Sequence, residues 1–296
     1  MGLSARALRA AGHPVHLVIC TYTTPHLRRC LLGVACQTRR PDSVIVTCDT
    51  DDPAVRQRAA ACSREFGLPL TLVYRAHHGL CRLSQVANNA VRLLLERGAP
   101  DEAQIVVTQG DCCPAPDFIA QYAARARKGD LYLGHRIGMT DAQTEVFDEA
   151  AVRAGRPPAA ISTKQQRLLQ LHARKAYFHL ILRHLHLTKL HKPKLVGFNH
   201  GYRLELCRRI NGYDEEYEGF AVDDDEFCRR ANRAGARPVI CVRQAIVYHC
   251  FHPSRQPVPW QDLPSAQRFR QGGPVYCRHG LDNPRPQNPI RVEDIS

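Results

Sequence analysis

VHLVICTYTTPHLRRCLLGV, Val15 to Val34, carries the pattern from which the fold class of this chain follows. Val15 to Cys20 is a short apolar run, long enough for a strand and too short for a buried helix. Thr21, Tyr22, Thr23, Thr24 and Pro25 interrupt it, and Leu27, Leu31 and Val34 then recur at helical spacing. The stretch therefore reads as strand, loop, helix.

Outward from there the pattern repeats. Val44 to Cys48 reads as a second strand, ending at Asp49, Asp51 and Asp52, and Pro53 can open a helix running to about Phe66. Leu70 to Tyr74 is a third strand, and Leu83, Val86, Ala90, Val91 and Leu94 mark another amphipathic helix. Ile105 to Thr108 is a fourth strand, ending at Gln109, Gly110 and Asp111, followed by a helix over Asp117 to Arg127 and a strand over Leu131 to Leu133. Strands alternating with helices predict an α/β fold with a parallel sheet covered by helices. Ligands in such sheets bind beyond the carboxyl ends of the strands, where Thr21, Asp49 and Asp111 fall. Each of these residues alone could be a turn former; three polar residues at three strand ends point to a site.

The second half is less regular. Thr140 to Pro158 reads as a loop, Ser162 to Leu187 as a helix, Leu195 to Tyr202 as a strand and Asp223 to Ala234 as a helix. The apolar run Pro238 to Tyr248 reads as one strand, and the residues after Trp260 as irregular. No repeats are evident. The expected organisation is a single domain over residues 1–260, a basic helical insertion at about 150–194, and a C-terminal tail over 261–296.

With 296 residues, 44% of them hydrophobic, the chain can bury a substantial core. No apolar run approaches the roughly 20 residues needed to cross a bilayer. The start carries arginines without an apolar core, so no secretory signal is expected. The thirteen cysteines are then expected to be thiols, and no C-x-x-C pair suggests structural zinc. A net charge of +13 attracts anions: nucleic acid, anionic lipid or phosphorylated small molecules. The charge is unevenly placed. No acidic residue lies between Glu149 and Glu205, whereas Arg167, Arg174, Lys175, Arg183, Lys189, Lys192 and Lys194 gather there. A basic amphipathic helix of this kind suits either an anionic membrane surface or an ordinary solvated face.

Against this background, Asp214, Glu215, Glu216, Glu218, Asp223, Asp224, Asp225 and Glu226 crowd one segment, and His249 follows at a predicted strand end. The cluster alone is equally the acidic start of a helix. With a histidine beside it, it suggests a site for a divalent cation, a proton, or both.

Several segments resemble family 2 of the glycosyltransferases. QGDCCPAPDF, Gln109 to Phe118, is similar to that family's strand-end motif D-G-D-C-x-P-x-P-D-F. NGYDEEYEGFAVDDDEFCRRANRAGAR, Asn211 to Arg237, resembles G-[FY]-D-E followed by G-W-G-x-E-D-x-[DE]-[FL] and a helix. VYHCFHP, Val247 to Pro253, resembles a His-bearing strand end of the galactosyltransferase-like branch. VICTYTTPHLRRCLLGVACQT near the start and GLCRLSQVANNA, Gly79 to Ala90, are weaker matches.

The resemblance implies an inverting enzyme with a GT-A-type, Rossmann-like mixed sheet flanked by helices. It implies a UDP-linked nucleotide-sugar donor, and Mn²⁺ or Mg²⁺ held by Asp111 and His249, with His252 as the alternative histidine. Asp224 would be the general base. Phe220 and Asp223 would contact donor or acceptor sugar, and Thr21, Tyr22, Asp49, Arg82, Gln109 and Asp111 the nucleotide. The acceptor would be a cell-surface glycan, such as a lipopolysaccharide core or capsule, or a lipid-linked sugar. The enzyme would be cytoplasmic, with the basic segment offering a peripheral hold on the inner membrane face. The chain departs from the pattern at Gln109, at Asp223 in the acidic pair, at Phe220 for tryptophan and at Asn88-Asn89 for an Arg-Asn pair.

Two other readings compete. A nucleotidyltransferase also places aspartates at strand ends, but TYTTPH supplies no basic, glycine-rich phosphate loop. A nucleic-acid-binding protein would fit the charge, but aromatics are only 7% and the acidic residues cluster.

Overall fold

The computed structural model describes residues 12–23, 25–158, 161–219, 222–253 and 259–296. The chain opens with β1 (Val15–Thr21), α1 (Leu27–Ala35), β2 (Ser43–Cys48), α2 (Pro53–Phe66), β3 (Leu70–Tyr74), α3 (Leu83–Glu96) and β4 (Gln104–Gln109). It continues through β5 (Cys112–Pro114), α4 (Phe118–Ala123), β6 (Leu131–Leu133), β7 (His135–Gly138), α5 (Asp141–Val146), α6 (Glu149–Arg153) and α7 (Thr163–His184). β8 (Asn199–Arg203), α8 (Leu204–Arg209), α9 (Asp223–Arg233), β9 (Pro238–Ile240), β10 (Ile246–His249), α10 (Pro264–Gln271) and β11 (Arg291–Ile295) complete it.

The main sheet has the order β11-β3-β2-β1-β4-β8-β6-β9. β3, β2, β1 and β4 run parallel, as the alternation predicts. β8 runs antiparallel to β4 and β6, so the sheet is mixed. β1 shows why its run is apolar throughout. Val15, Leu17 and Ile19 enter one core with residues of α1 and α2; Val18 and Cys20 enter the other with residues of α3. A strand buried on both faces cannot alternate polar and apolar. Cutting Leu17 or Ile19, both without exposed surface, to alanine would cost about 2–5 kcal/mol.

Local chemistry sets the element ends that frame the site. The Asp52 carboxylate accepts from the Ala54 amide at 2.8 Å, Pro53 opens α2, and Gly67 closes it at φ 55°. α7 begins with a capping box between Ser162 and Gln165.

The structure corrects several boundaries. Pro238 to Tyr248 is two strands in two sheets: β9 joins the main sheet, and β10 lies between β5 and β7 in a three-stranded one. Asp117 to Arg127 is helical only over α4, and Leu195 to Tyr202 turns extended only at Asn199. The supposed loop Thr140 to Pro158 contains α5 and α6, each started by a side-chain cap, Thr140 and Asp148. The tail is not irregular: α10 forms, and β11 pairs antiparallel with β3 to extend the sheet. Among the described residues no helix is long and apolar enough to cross a membrane.

Candidate functional site

Beyond the carboxyl ends of β1, β2 and β4 lies a cavity of about 460 Å³, within the size range of small-molecule sites. Thr21, Tyr22, Asp49, Gln109, Asp111 and His249 all line it, so strand topology brings together six of the residues singled out in the sequence. Two strand ends close on each other here. The Gly110 amide donates to the Cys20 carbonyl at 3.0 Å. A Cβ at Gly110 would stand 2.6 Å from the Thr21 hydroxyl oxygen, so only glycine fits between Gln109 and Asp111.

Asp49 is buried and held from three sides. Arg75, with no exposed side-chain surface, stands 2.7 Å from its Oδ1. His77 Nδ1 and the Arg82 amide each lie 3.1 Å from its Oδ2. Arg82 therefore contributes its backbone, and its guanidinium does not line the cavity; Nε pairs with Glu218 at 3.2 Å.

Asp111 and His249 meet through sheet register. His249 pairs with Cys112 across β10 and β5, which sets it beside the residue preceding β5. The Asp111 carboxylate lies 3.6 Å from His249 Nε2 and 3.1 Å from His252 Nε2. One ligand atom from each residue falls within 4.8 Å of the others. Burial outweighs the attraction of Asp111 and pushes the His249 imidazole down to about 4. It is therefore neutral near pH 7, the form that binds metals. One carboxylate and two imidazoles suit a borderline divalent cation.

Sequence reasoning gave His252 only as an alternative to His249, and it missed Arg136 and His26 on the cavity wall. Arg136 projects from β7, its guanidinium 4.1 Å from the Phe198 ring centroid. A strand of four residues gives no period to find it by.

Asp223 and Asp224 open α9, close enough to the cavity residue Cys20 to help push its thiol upward. Asp224 Oδ2 accepts from the Gly197 amide at 2.7 Å. Burial first, and then the Asp223 charge, raise the Asp224 carboxyl well above its usual range. Burial likewise lifts Asp223 to about 6. Asp225 instead pairs with Lys194 at 3.6 Å. Val222, just before the helix, holds φ at 56°, a costly conformation for a β-branched residue. Phe220 lies outside the described residues.

Solved structures share this architecture. S. aureus TarS, residues 1–349 bound to UDP, aligns with a TM-score of 0.53 at 15% identity, over 79% of this chain and 60% of that one. A TarS structure bound to UDP-GlcNAc aligns at 0.51 and 13% identity, over 82% and 60%. GalNAc-T7 with UDP, GalNAc and Mn²⁺ aligns at 0.55 and 12%, over 88% of this chain and 48% of that one. At these identities the likeness is one of fold, the GT-A fold, and the chain spans less than two thirds of these proteins. No curated protein sequence matches. The model of the family described as "Glycosyltransferase like family 2" matches residues 13–273, spanning β1 through α10 and the whole cavity. The chain thus belongs to the glycosyltransferase-like family 2.

Proposed function

We propose that the protein is an inverting glycosyltransferase that moves a sugar from a UDP-linked donor to an acceptor hydroxyl. The observation that carries this is the convergence of Asp111, His249 and His252 within 4.8 Å on a strand-end cavity. Asp224 is close enough to Cys20, on the wall of that cavity, to act on its thiol. TarS bound to UDP and UDP-GlcNAc, and GalNAc-T7 bound to UDP and Mn²⁺, support the donor class.

In this reading Thr21, Tyr22 and Asp49 receive the nucleoside, with Arg75 fixing the Asp49 carboxylate. Gln109 and Asp111 lie on the diphosphate side, and the Arg136 guanidinium can donate to phosphate oxygens. Asp111, His249 and His252 would hold Mn²⁺ or Mg²⁺, which when bound neutralises charge on the departing diphosphate. The acceptor hydroxyl gives its proton to Asp224. Its oxygen attacks the anomeric carbon from the face opposite the phosphate. The bond to phosphate breaks, its electron pair leaves with UDP, and the configuration inverts. A carboxyl raised by burial is a stronger base near neutral pH than an exposed one. Asp223, one residue before it, would bind a sugar hydroxyl.

The acceptor we infer is a surface glycan such as a lipopolysaccharide core or capsule, carried on lipid at the inner membrane face. All thirteen cysteines are free thiols, in keeping with a reducing compartment. The test is transfer from UDP-sugars to lipid-linked acceptors, followed by proton NMR of the new linkage. Opposite anomeric configuration in donor and product supports the reading; retention, or full turnover in Asp224→Asn, sinks it.

A further inference from the structure

α7 carries two apolar faces. The inner one, Leu169, Ala173, Ala176 and Leu180, packs into the core. Gln165 Nε2 donates to the Gly138 carbonyl at 2.6 Å, and His172 stacks on His135 at 4.0 Å, so the helix is docked along β7. On the opposite side Leu171, Phe178, Ile181 and Leu185 stand exposed, and the row continues through Leu187 and Leu190. Positions 171, 178, 181 and 185 share one side of a helix. They are not scattered surface residues: Ile181 is 61% and Leu187 69% exposed. A contiguous apolar row of this kind marks a contact surface.

Its charge says with what. Arg167, Arg174 and Lys175 are exposed on that same outer side, and Lys189 follows in the loop. No acidic residue occurs from 150 to 204. A second copy seated on this face would set cation against cation. Arg183, by contrast, is tied internally, donating to the carbonyls of Asn232 and Ala236. Apolar side chains flanked by Lys and Arg on a helix lying along the surface match an anionic bilayer, with leucine and phenylalanine at the acyl boundary and cations at headgroup level.

We infer that the outer face of α7, with the loop to Leu190, docks the protein on an anionic phospholipid bilayer. The segment that follows Leu190 makes two contacts at the start of α9. Lys194 pairs with Asp225 at 3.6 Å, and the Gly197 amide holds Asp224 at 2.7 Å. A lipid-linked acceptor at the membrane would thus approach beside Asp224. That consequence rests on the glycosyltransferase reading; the docking itself does not.

The test is flotation of the full chain with vesicles of phosphatidylcholine alone or with phosphatidylglycerol added. The wild type, Phe178→Ser/Ile181→Ser and Arg174→Gln/Lys175→Gln are compared, with thermal melting and UDP binding measured on each. Expected is at least tenfold enrichment on the anionic vesicles, weakened by salt and lost in both double variants at unchanged melting temperature and UDP affinity. No enrichment, or undiminished binding by the variants, overturns the docking. A wild-type dimer dissolved by Phe178→Ser/Ile181→Ser also overturns it and assigns the face to self-association. Intact flotation without UDP binding would strike the functional reading alone.

Discussion

The Gly197 amide and the Asp224 carboxylate meet at 2.7 Å, and no side chain fits between them. A Cβ at position 197 would stand 2.8 Å from Asp224 Oδ1 and 3.0 Å from Oδ2. Gly197 is not at a positive φ, so alanine is tolerated by the backbone and acts on the carboxylate alone. Gly197→Ala should lower kcat by about 10- to 100-fold, the scale of a misplaced catalytic group. Steady-state kinetics beside a thermal melt checks this: a kcat within twofold of wild type would show that turnover does not depend on this placement of the Asp224 carboxylate.

Asp224→Asn should remove proton transfer and lower kcat by about 10²–10⁴-fold with nucleotide affinity kept. Because burial and Asp223 raise the Asp224 carboxyl, wild-type turnover should fall with pH at a point well above the ordinary carboxylate range. The residual rate of Asp224→Asn should lack that acid limb. A pH profile of kcat/KM for both proteins decides the matter, and an identical limb in the two would assign it elsewhere.

Asp223 makes a separate prediction about stability. Its carboxyl moves from the ordinary 3.8 up to about 6 on folding. The folded state therefore binds more protons between those values, and stability is lost as pH rises through the window. Asp223→Asn should raise the melting temperature relative to wild type at pH 8, and the difference should shrink as pH falls below about 6. A constant difference across pH 4 to 8 would refute the shift.

Arg75 and Asp49 form an ion pair with 0% and 4% exposed side chains. Arg75→Met would leave a buried carboxylate without its counter-charge and should cost about 3–5 kcal/mol. Arg75→Met/Asp49→Asn should recover part of that loss. Chemical denaturation of both variants and the wild type measures it; equal losses in the two would show that the pair is not coupled.

The first half of the fold was legible because β1 to β4 are buried on both faces and separated by helices with an apolar face, one of them, α2, opened by the Asp52 cap. Its strand ends delivered Thr21, Asp49, Gln109 and Asp111 directly. The three-stranded sheet was not legible. β5 and β7 have three and four residues, too few for a period, and in Pro238 to Tyr248 only Arg243 and Gln244 mark the turn where the chain changes sheet, too short a polar break to divide the apolar run. His249 was found from its place after an apolar run, and His252 needed the register of β10 against β5 to bring it to Asp111. Arg75 gave no signal in composition, yet it follows Tyr74 at the same sheet end as Asp49. The pairing of the Arg82 guanidinium with Glu218, far along the chain, was not legible from its sequence neighbourhood.

On the proposed function this cavity binds a nucleoside diphosphate through the Asp111 cluster. Calorimetric titration of UDP, in Mn²⁺ and in EDTA, on wild type and Asp111→Ala tests it most directly. Expected is tight binding by the wild type in Mn²⁺, weakened at least tenfold by EDTA and equally by the substitution. Absence of UDP binding under both conditions, or binding indifferent to Mn²⁺ and to Asp111→Ala, would contradict it.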